Sequence, residues 1–119
     1  MVGSGPGDPG LFTVKGVEYM RRADAVVYDR LAPEALLSHT RSDVELYYVG
    51  KQPGQHSMSQ EEINALLVRL GREGKMVVRL KGGDPYVFGR GGEEALDLIE
   101  AGLPFEVVPG VTSGIAAPA

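Results

Sequence analysis

The sequence predicts an α/β fold: a parallel sheet covered by helices on both faces, the three-layer Rossmann-like arrangement. Three observations predict it. Short apolar runs, rich in β-branched and aromatic residues, recur at 25–28, 44–49, 76–80 and 105–108. They are continuous rather than alternating, which suits strands buried on both faces. Between them lie segments with apolar residues three or four apart, the helical period. The resulting strand–helix alternation is that of right-handed βαβ units.

The elements follow in order. Met1-Val2 is too short for a full strand, so the first strand reads as mostly missing. A Gly- and Pro-rich stretch, Gly3-Ser4-Gly5-Pro6-Gly7-Asp8-Pro9-Gly10, leads to a helix over Thr13–Ala23, with Asp8 or Thr13 as its cap. Ala25–Tyr28 is a strand and Pro33–His39 a short, weak helix. Val44–Val49 is the next strand, in which Tyr47 and Tyr48 read as packing residues. Ser59-Gln60-Glu61-Glu62 is a capping box, followed by the apolar face Ile63, Leu66, Leu67 and Leu70, with Gly71 and Gly74 at the end. Met76–Leu80 is a strand, Gly92–Ala101 a helix with Leu96 and Ile99 turned to the core, and Phe105–Val108 a last strand. The chain stops at 119 as another helix begins, so it reads as one domain of a longer protein.

Composition excludes several classes. With 119 residues, 43% of them apolar, the chain holds one domain with a real core, and 24% charged residues argue against disorder. The absence of cysteine removes disulfides, thiolate metal sites and a cysteine nucleophile. His39 and His56 are too few for most histidine metal sites, and His56 reads as a solvated loop residue. A net charge of −4 argues against nucleic acid. No apolar run has membrane-spanning length and no signal peptide is visible, so a cytoplasmic protein is expected.

The 17 glycines and 8 prolines concentrate in loops that each follow a strand. In a parallel sheet that places them on the carboxyl edge, where ligands bind. Gly3 and Gly5 fit part of a G-x-G-x-x-G fingerprint, but position 8 is Asp, which repels a pyrophosphate, and Pro6 and Pro9 remove amide donors. A nicotinamide-type dinucleotide-binding module is therefore the weaker alternative, and no P-loop pattern occurs. The run Arg79-Leu80-Lys81-Gly82-Gly83-Asp84-Pro85 through Gly89-Arg90-Gly91-Gly92-Glu93-Glu94 carries more chemistry. Gly82 and Gly83 permit close approach of backbone to a ligand, Asp84 can accept from an ammonium or hydroxyl, and Arg90 can hold a carboxylate bidentately. Glu93 and Glu94 read as first-turn helix carboxylates favouring the dipole, and Lys81 as a solvated loop charge.

The stretch Gly3–Pro9, Tyr28-Asp29-Arg30-Leu31, Val49-Gly50-Lys51, the run Arg79–Glu94 and Val108-Pro109-Gly110-Val111-Thr112-Ser113 together resemble the tetrapyrrole methylase family, and within it the uroporphyrinogen-III C-methyltransferases. The resemblance covers essentially the whole chain. It implies the N-terminal domain of a two-domain fold, with the C-terminal domain absent. It implies transfer of methyl groups from S-adenosyl-L-methionine to carbons 2 and 7 of uroporphyrinogen III, giving precorrin-2, toward sirohaem or cobalamin. By motif position it implies Pro6, Gly82, Gly83, Asp84, Val87, Thr112 and Ser113 as cofactor-binding residues. It implies Asp29 as proton acceptor and Lys51 as proton donor, with Glu93 as a base or a support for Arg90. Arg30 and Arg90 are the implied cations for the substrate carboxylates. Asp29 is equally readable as a cap or a partner of Arg30, and Lys51 as a plain carboxylate ligand. A homodimer is implied for the full-length protein; the alternative for this piece alone is a non-catalytic fragment.

Overall fold

A computed structural model describes residues 1–5, 9–30, 32, 34–50, 58–82 and 91–110. The elements are β1 (Val2–Gly3), α1 (Val14–Arg22), β2 (Ala25–Tyr28), β3 (Glu45–Tyr48), α2 (Gln60–Arg72), β4 (Val77–Lys81) and α3 (Gly91–Glu100). Short 3-10 helices occupy Pro9–Leu11 and Glu34–His39. The weak helix expected near Pro33 is thus a tighter turn of helix.

The sheet is parallel, in the order β1-β4-β2-β3. Beyond β1, Val108 forms a parallel bridge with Val2. The Val108 amide donates to the Met1 carbonyl at 2.8 Å and the Gly3 amide to the Val108 carbonyl at 3.0 Å. The expected last strand is therefore reduced to one bridge among the described residues.

The apolar pattern of the strands explains the two helical layers. Val26, Val78 and Leu80 point to one face, where Met20, Ala23, Leu36 and Val108 complete a core. Ala25 and Val27 point to the other, against Ile63, Leu67 and Leu70 of α2, with Leu98 of α3 packed alongside. The chain steps from β1 to β2 to β3 with α1 and the 34–39 helix on the first face. It returns through β4 toward Val108 with α2 and α3 on the second. Same-handed crossovers demand this: reversing direction switches the face.

Local chemistry fixes the helix starts. The Thr13 hydroxyl accepts from the Gly16 amide at 3.0 Å. At α2 the expected capping box is complete: the Ser59 hydroxyl accepts from the Glu62 amide at 3.1 Å, and the Glu62 carboxylate accepts from the Ser59 amide at 3.2 Å.

Two expectations need correction. Leu96 and Ile99 do not face the core; they are 61% and 60% exposed, while Ala95 and Leu98 pack inward. The apolar residues of α3 admit two helical faces, and contact with α2 selects the other one. The β3 strand is not buried on both faces either: it is the sheet edge, and Leu46 is exposed. Its tyrosines do pack as expected, Tyr47 on the α2-side core and Tyr48 edge-on to Tyr28 with ring centres 5.4 Å apart.

Candidate active site

The carboxyl ends of the strands carry Ser4-Gly5 after β1, Asp29-Arg30 after β2, Val49-Gly50 after β3, and Gly82 after β4. Pro109-Gly110 follow the Val108 bridge. The expectation that the glycine-rich loops share one edge of the sheet is met for these residues. Gly5 turns there with φ 79°, and a Cβ on it would stand 3.2 Å from the Leu11 carbonyl oxygen. Only glycine enters that backbone region without strain.

The paths of the chain single out one pair of strand ends. From β2 the chain goes on to β3; from adjacent β4 it goes back across β1. Connections that diverge from neighbouring strands leave a crevice at their carboxyl ends. Asp29 and Gly82 lie there, Asp29 half-buried and Arg30 exposed. Glu93 is exposed in the first turn of α3. Pro6, Lys51, Gly83, Asp84, Val87, Arg90, Thr112 and Ser113 lie outside the described residues, as do Asp8 and His56.

The structure adds a buried charge cluster beside this crevice. Period-two alternation sends Arg79 and Lys81 of β4 to the α2/α3 face, where apolar neighbours would be expected. Both meet Glu94 of α3. Arg79 Nε donates to Glu94 Oε1 at 3.0 Å and Lys81 Nζ to Oε2 at 3.2 Å. The Gln60 amide of α2 also donates to Oε1, at 3.2 Å. Arg79 passes further hydrogen bonds to the Val27 and Leu80 carbonyls. Glu94 is fully buried, Arg79 5% and Lys81 8% exposed.

The reading of Lys81 as a solvated charge is therefore corrected; Glu94 does lie in the first turn of α3, as expected, but buried against these cations. Helical phase turns Glu93 outward and Glu94 inward, and the strand carries Lys81 into the interior. Arg79 was missed as well. The available signal was a pair of cations at i and i+2 in an otherwise apolar strand, followed by a carboxylate early in the next helix.

Electrostatics agree with the geometry. Burial pushes the Glu94 carboxyl up, but the cations of Arg79 and then Lys81 outweigh it and hold it below the ordinary value. Lys81 is lowered, first by burial and then by repulsion from Arg79, against the opposing pull of Glu94 and Asp29. Among the described residues no cluster of His, Asp and Glu is arranged to hold a metal ion. A cavity of about 620 Å³ lies at the opposite, amino edge of the sheet, lined by Met1, Leu67, Met76, Leu103 and Phe105 among others.

Comparison with known proteins places this arrangement. The family model for tetrapyrrole (corrin/porphyrin) methylases matches residues 1–119. A uroporphyrinogen-III C-methyltransferase of Methanocaldococcus jannaschii is 58% identical over 118 residues, covering 99% of this chain and 49% of that protein. A siroheme synthase of Photorhabdus laumondii is 55% identical over all of this chain and 25% of its own length. The crystal structure of uroporphyrin-III C-methyltransferase from Thermus thermophilus complexed with S-adenosyl homocysteine superposes with a TM-score of 0.84 at 52% identity, over 98% of this chain and 49% of that one. A cobalt precorrin-4 methyltransferase superposes with a TM-score of 0.82 at 39% identity, over 98% and 46%. The chain spans about half the length of the curated uroporphyrinogen-III C-methyltransferases it matches. On a match of motif order, parallel topology and full-length family model, this chain belongs to the tetrapyrrole methylases.

Proposed function

We propose that this chain is the N-terminal domain of an S-adenosyl-L-methionine-dependent C-methyltransferase that converts uroporphyrinogen III to precorrin-2 by methylation at carbons 2 and 7. The observation that carries the reading is the convergence of Asp29 and Gly82 on adjacent strand ends where the chain paths diverge. The relatives over this whole chain are methylases of that name, and one solved neighbour is complexed with S-adenosyl homocysteine.

The described residues suit such a cofactor. Ser4-Gly5, Gly82 and Pro109-Gly110 offer main chain and small side chains at three neighbouring strand ends. Such a rim is compatible with a ligand held chiefly through backbone. When bound, the sulfonium cofactor supplies an electrophilic methyl group. In this proposal Pro6, Gly82, Gly83, Asp84, Val87, Thr112 and Ser113 hold it. Arg30 and Arg90 take carboxylates of the tetrapyrrole, as an acidic protein binding a polyanion requires local positive charge. Glu93 supports Arg90 or serves as a base. Asp29 accepts the proton that leaves the macrocycle after the ring carbon is methylated, and Lys51 donates one.

The second half of the methylase, absent from this chain, completes the cleft, and the complete protein works as a homodimer in the cytoplasm. No helix among the described residues is long and apolar enough to cross a membrane.

The test is incubation of the complete protein with uroporphyrinogen III and S-adenosyl-L-methionine, with the product read by mass spectrometry. Gain of two methyl groups is expected. Asp29→Asn is expected to slow the reaction about 100-fold or more, the usual weight of a positioned proton acceptor. No methylated product, or NAD(H) binding tighter than S-adenosylhomocysteine, would overturn the reading.

A further inference from the structure

Lys81 stands where three parts of the carboxyl edge meet. Its carbonyl accepts from the Ser4 amide at 2.7 Å, which ties it to the end of β1. Gly82 follows it directly, at the end of β4. Its ammonium donates to Glu94 Oε2 at 3.2 Å, in the first turn of α3. That bond joins positions 13 residues apart, and Gly82 and Glu93 lie just inside its two ends.

Charge balance does not account for this lysine. Arg79 Nε already pairs with Glu94 Oε1 at 3.0 Å, and the Gln60 amide donates to the same oxygen. One carboxylate matched by one guanidinium is neutral, so Lys81 leaves the cluster with a second buried cation. Its residue is 8% exposed, and its pKa is lowered, first by burial and then by the charge of Arg79. An excess buried cation costs desolvation and rotamer freedom and adds little cohesion. What the lysine does add is geometric. Arg79 ties α3 to the middle of β4, and Lys81 carries the tie up to the last residue of the strand.

We propose that Lys81 is a positioning residue for the cofactor: its bond to Glu94 braces the end of β4 against α3 and holds the Gly82 main chain where S-adenosyl-L-methionine is received. It touches neither cofactor nor substrate; it acts through Gly82. A main chain already fixed in its binding geometry spares the ligand the cost of ordering it. The inference rests on the reading of Gly82 as a cofactor-binding residue.

The experiment titrates S-adenosylhomocysteine into the complete methylase by calorimetry, comparing the parent with Lys81→Met, Lys81→Arg and Gly82→Val. Lys81→Met leaves Glu94 paired one-to-one with Arg79, so its melting temperature is expected to equal or exceed that of the parent. Its Kd is expected to rise about 10-fold through lost preorganisation. In steady-state kinetics KM for S-adenosyl-L-methionine rises alike, while kcat at saturating cofactor stays within about twofold, as for an interaction that serves binding alone. Lys81→Arg, which keeps a cation for Glu94, restores most of the affinity. A Met variant with the parent's Kd overturns the inference. So does weaker binding accompanied by a melting temperature lower by more than about 5 °C, the mark of a general loss of stability, or an Arg variant no better than Met. If Gly82→Val binds as the parent does, the reading of Gly82 falls and this inference with it. If Gly82→Val loses binding while Lys81→Met does not, this inference fails alone.

Discussion

Glu94→Ala is the perturbation whose size follows most directly from the structure. The wild-type carboxylate is fully buried and accepts from Arg79 Nε at 3.0 Å, Lys81 Nζ at 3.2 Å and Gln60 Nε2 at 3.2 Å. Alanine removes all three contacts and leaves two buried cations facing each other without a counter-charge. Breaking a buried pair from one side costs about 3–5 kcal/mol. For a chain of 119 residues the unfolding entropy is about 0.25 kcal/mol/K, so the melting temperature should drop by about 12–20 °C. Glu94→Gln, which keeps an acceptor for Arg79 but loses the charge, should fall between the parent and alanine. The triple replacement Arg79→Met, Lys81→Met, Glu94→Leu should recover much of the loss, because apolar groups of similar volume avoid the desolvation cost. Thermal unfolding followed by circular dichroism measures each. An alanine variant melting within about 4 °C of the parent, equivalent to ~1 kcal/mol, would refute the claim that this cluster is buried and mutually dependent.

Three further outcomes are expected. In a polypeptide that begins at Met1, the terminal ammonium sits inside the sheet edge, donating to the Glu106 carbonyl at 2.8 Å, and burial lowers its pKa from 8.0 to about 6. The unfolded chain then binds more protons than the folded one between those values, so stability rises with pH across that window. Urea denaturation should show a gain of ~2–3 kcal/mol from about pH 5.5 to about pH 8.5, and adding residues ahead of Met1 should abolish it. The lowered carboxyls of Asp24, Glu45 and Glu94 act in a separate, acidic window and lose their contribution below about pH 4.5. Gly5→Ala should cost about 1–2 kcal/mol, since φ 79° strains any L side chain and the new Cβ meets the Leu11 carbonyl at 3.2 Å; chemical denaturation checks it.

The sequence by itself determined the elements whose signals are local. The Ser59 capping box, the run Ala25–Tyr28 and the glycines after each strand depend on neighbours in the chain, and the structure realises them where their spacing puts them. The parallel sheet, with the glycine-rich loops at its carboxyl edge, followed from the alternation of those elements. The motifs also identified the family, because their order along the chain is legible without any knowledge of packing.

Tertiary structure alone decided which face each element buries and what its charges meet. The apolar residues of α3 permit two faces, and only docking on α2 chose Ala95 and Leu98 over Leu96 and Ile99. Arg79, Lys81 and Glu94 each look solvated when read singly, because charged residues usually are. They are buried because β4 is a central strand and the first turn of α3 closes over its end, bringing compensating charges together from positions 13 and 15 residues apart. The same pairing of β2 with β4 sets Val27 opposite Arg79, whose guanidinium donates to the Val27 carbonyl, across 52 residues of chain. Such a relation has no periodic trace, since it depends on strand order, and strand order is set by how the two helical layers divide between the faces of the sheet.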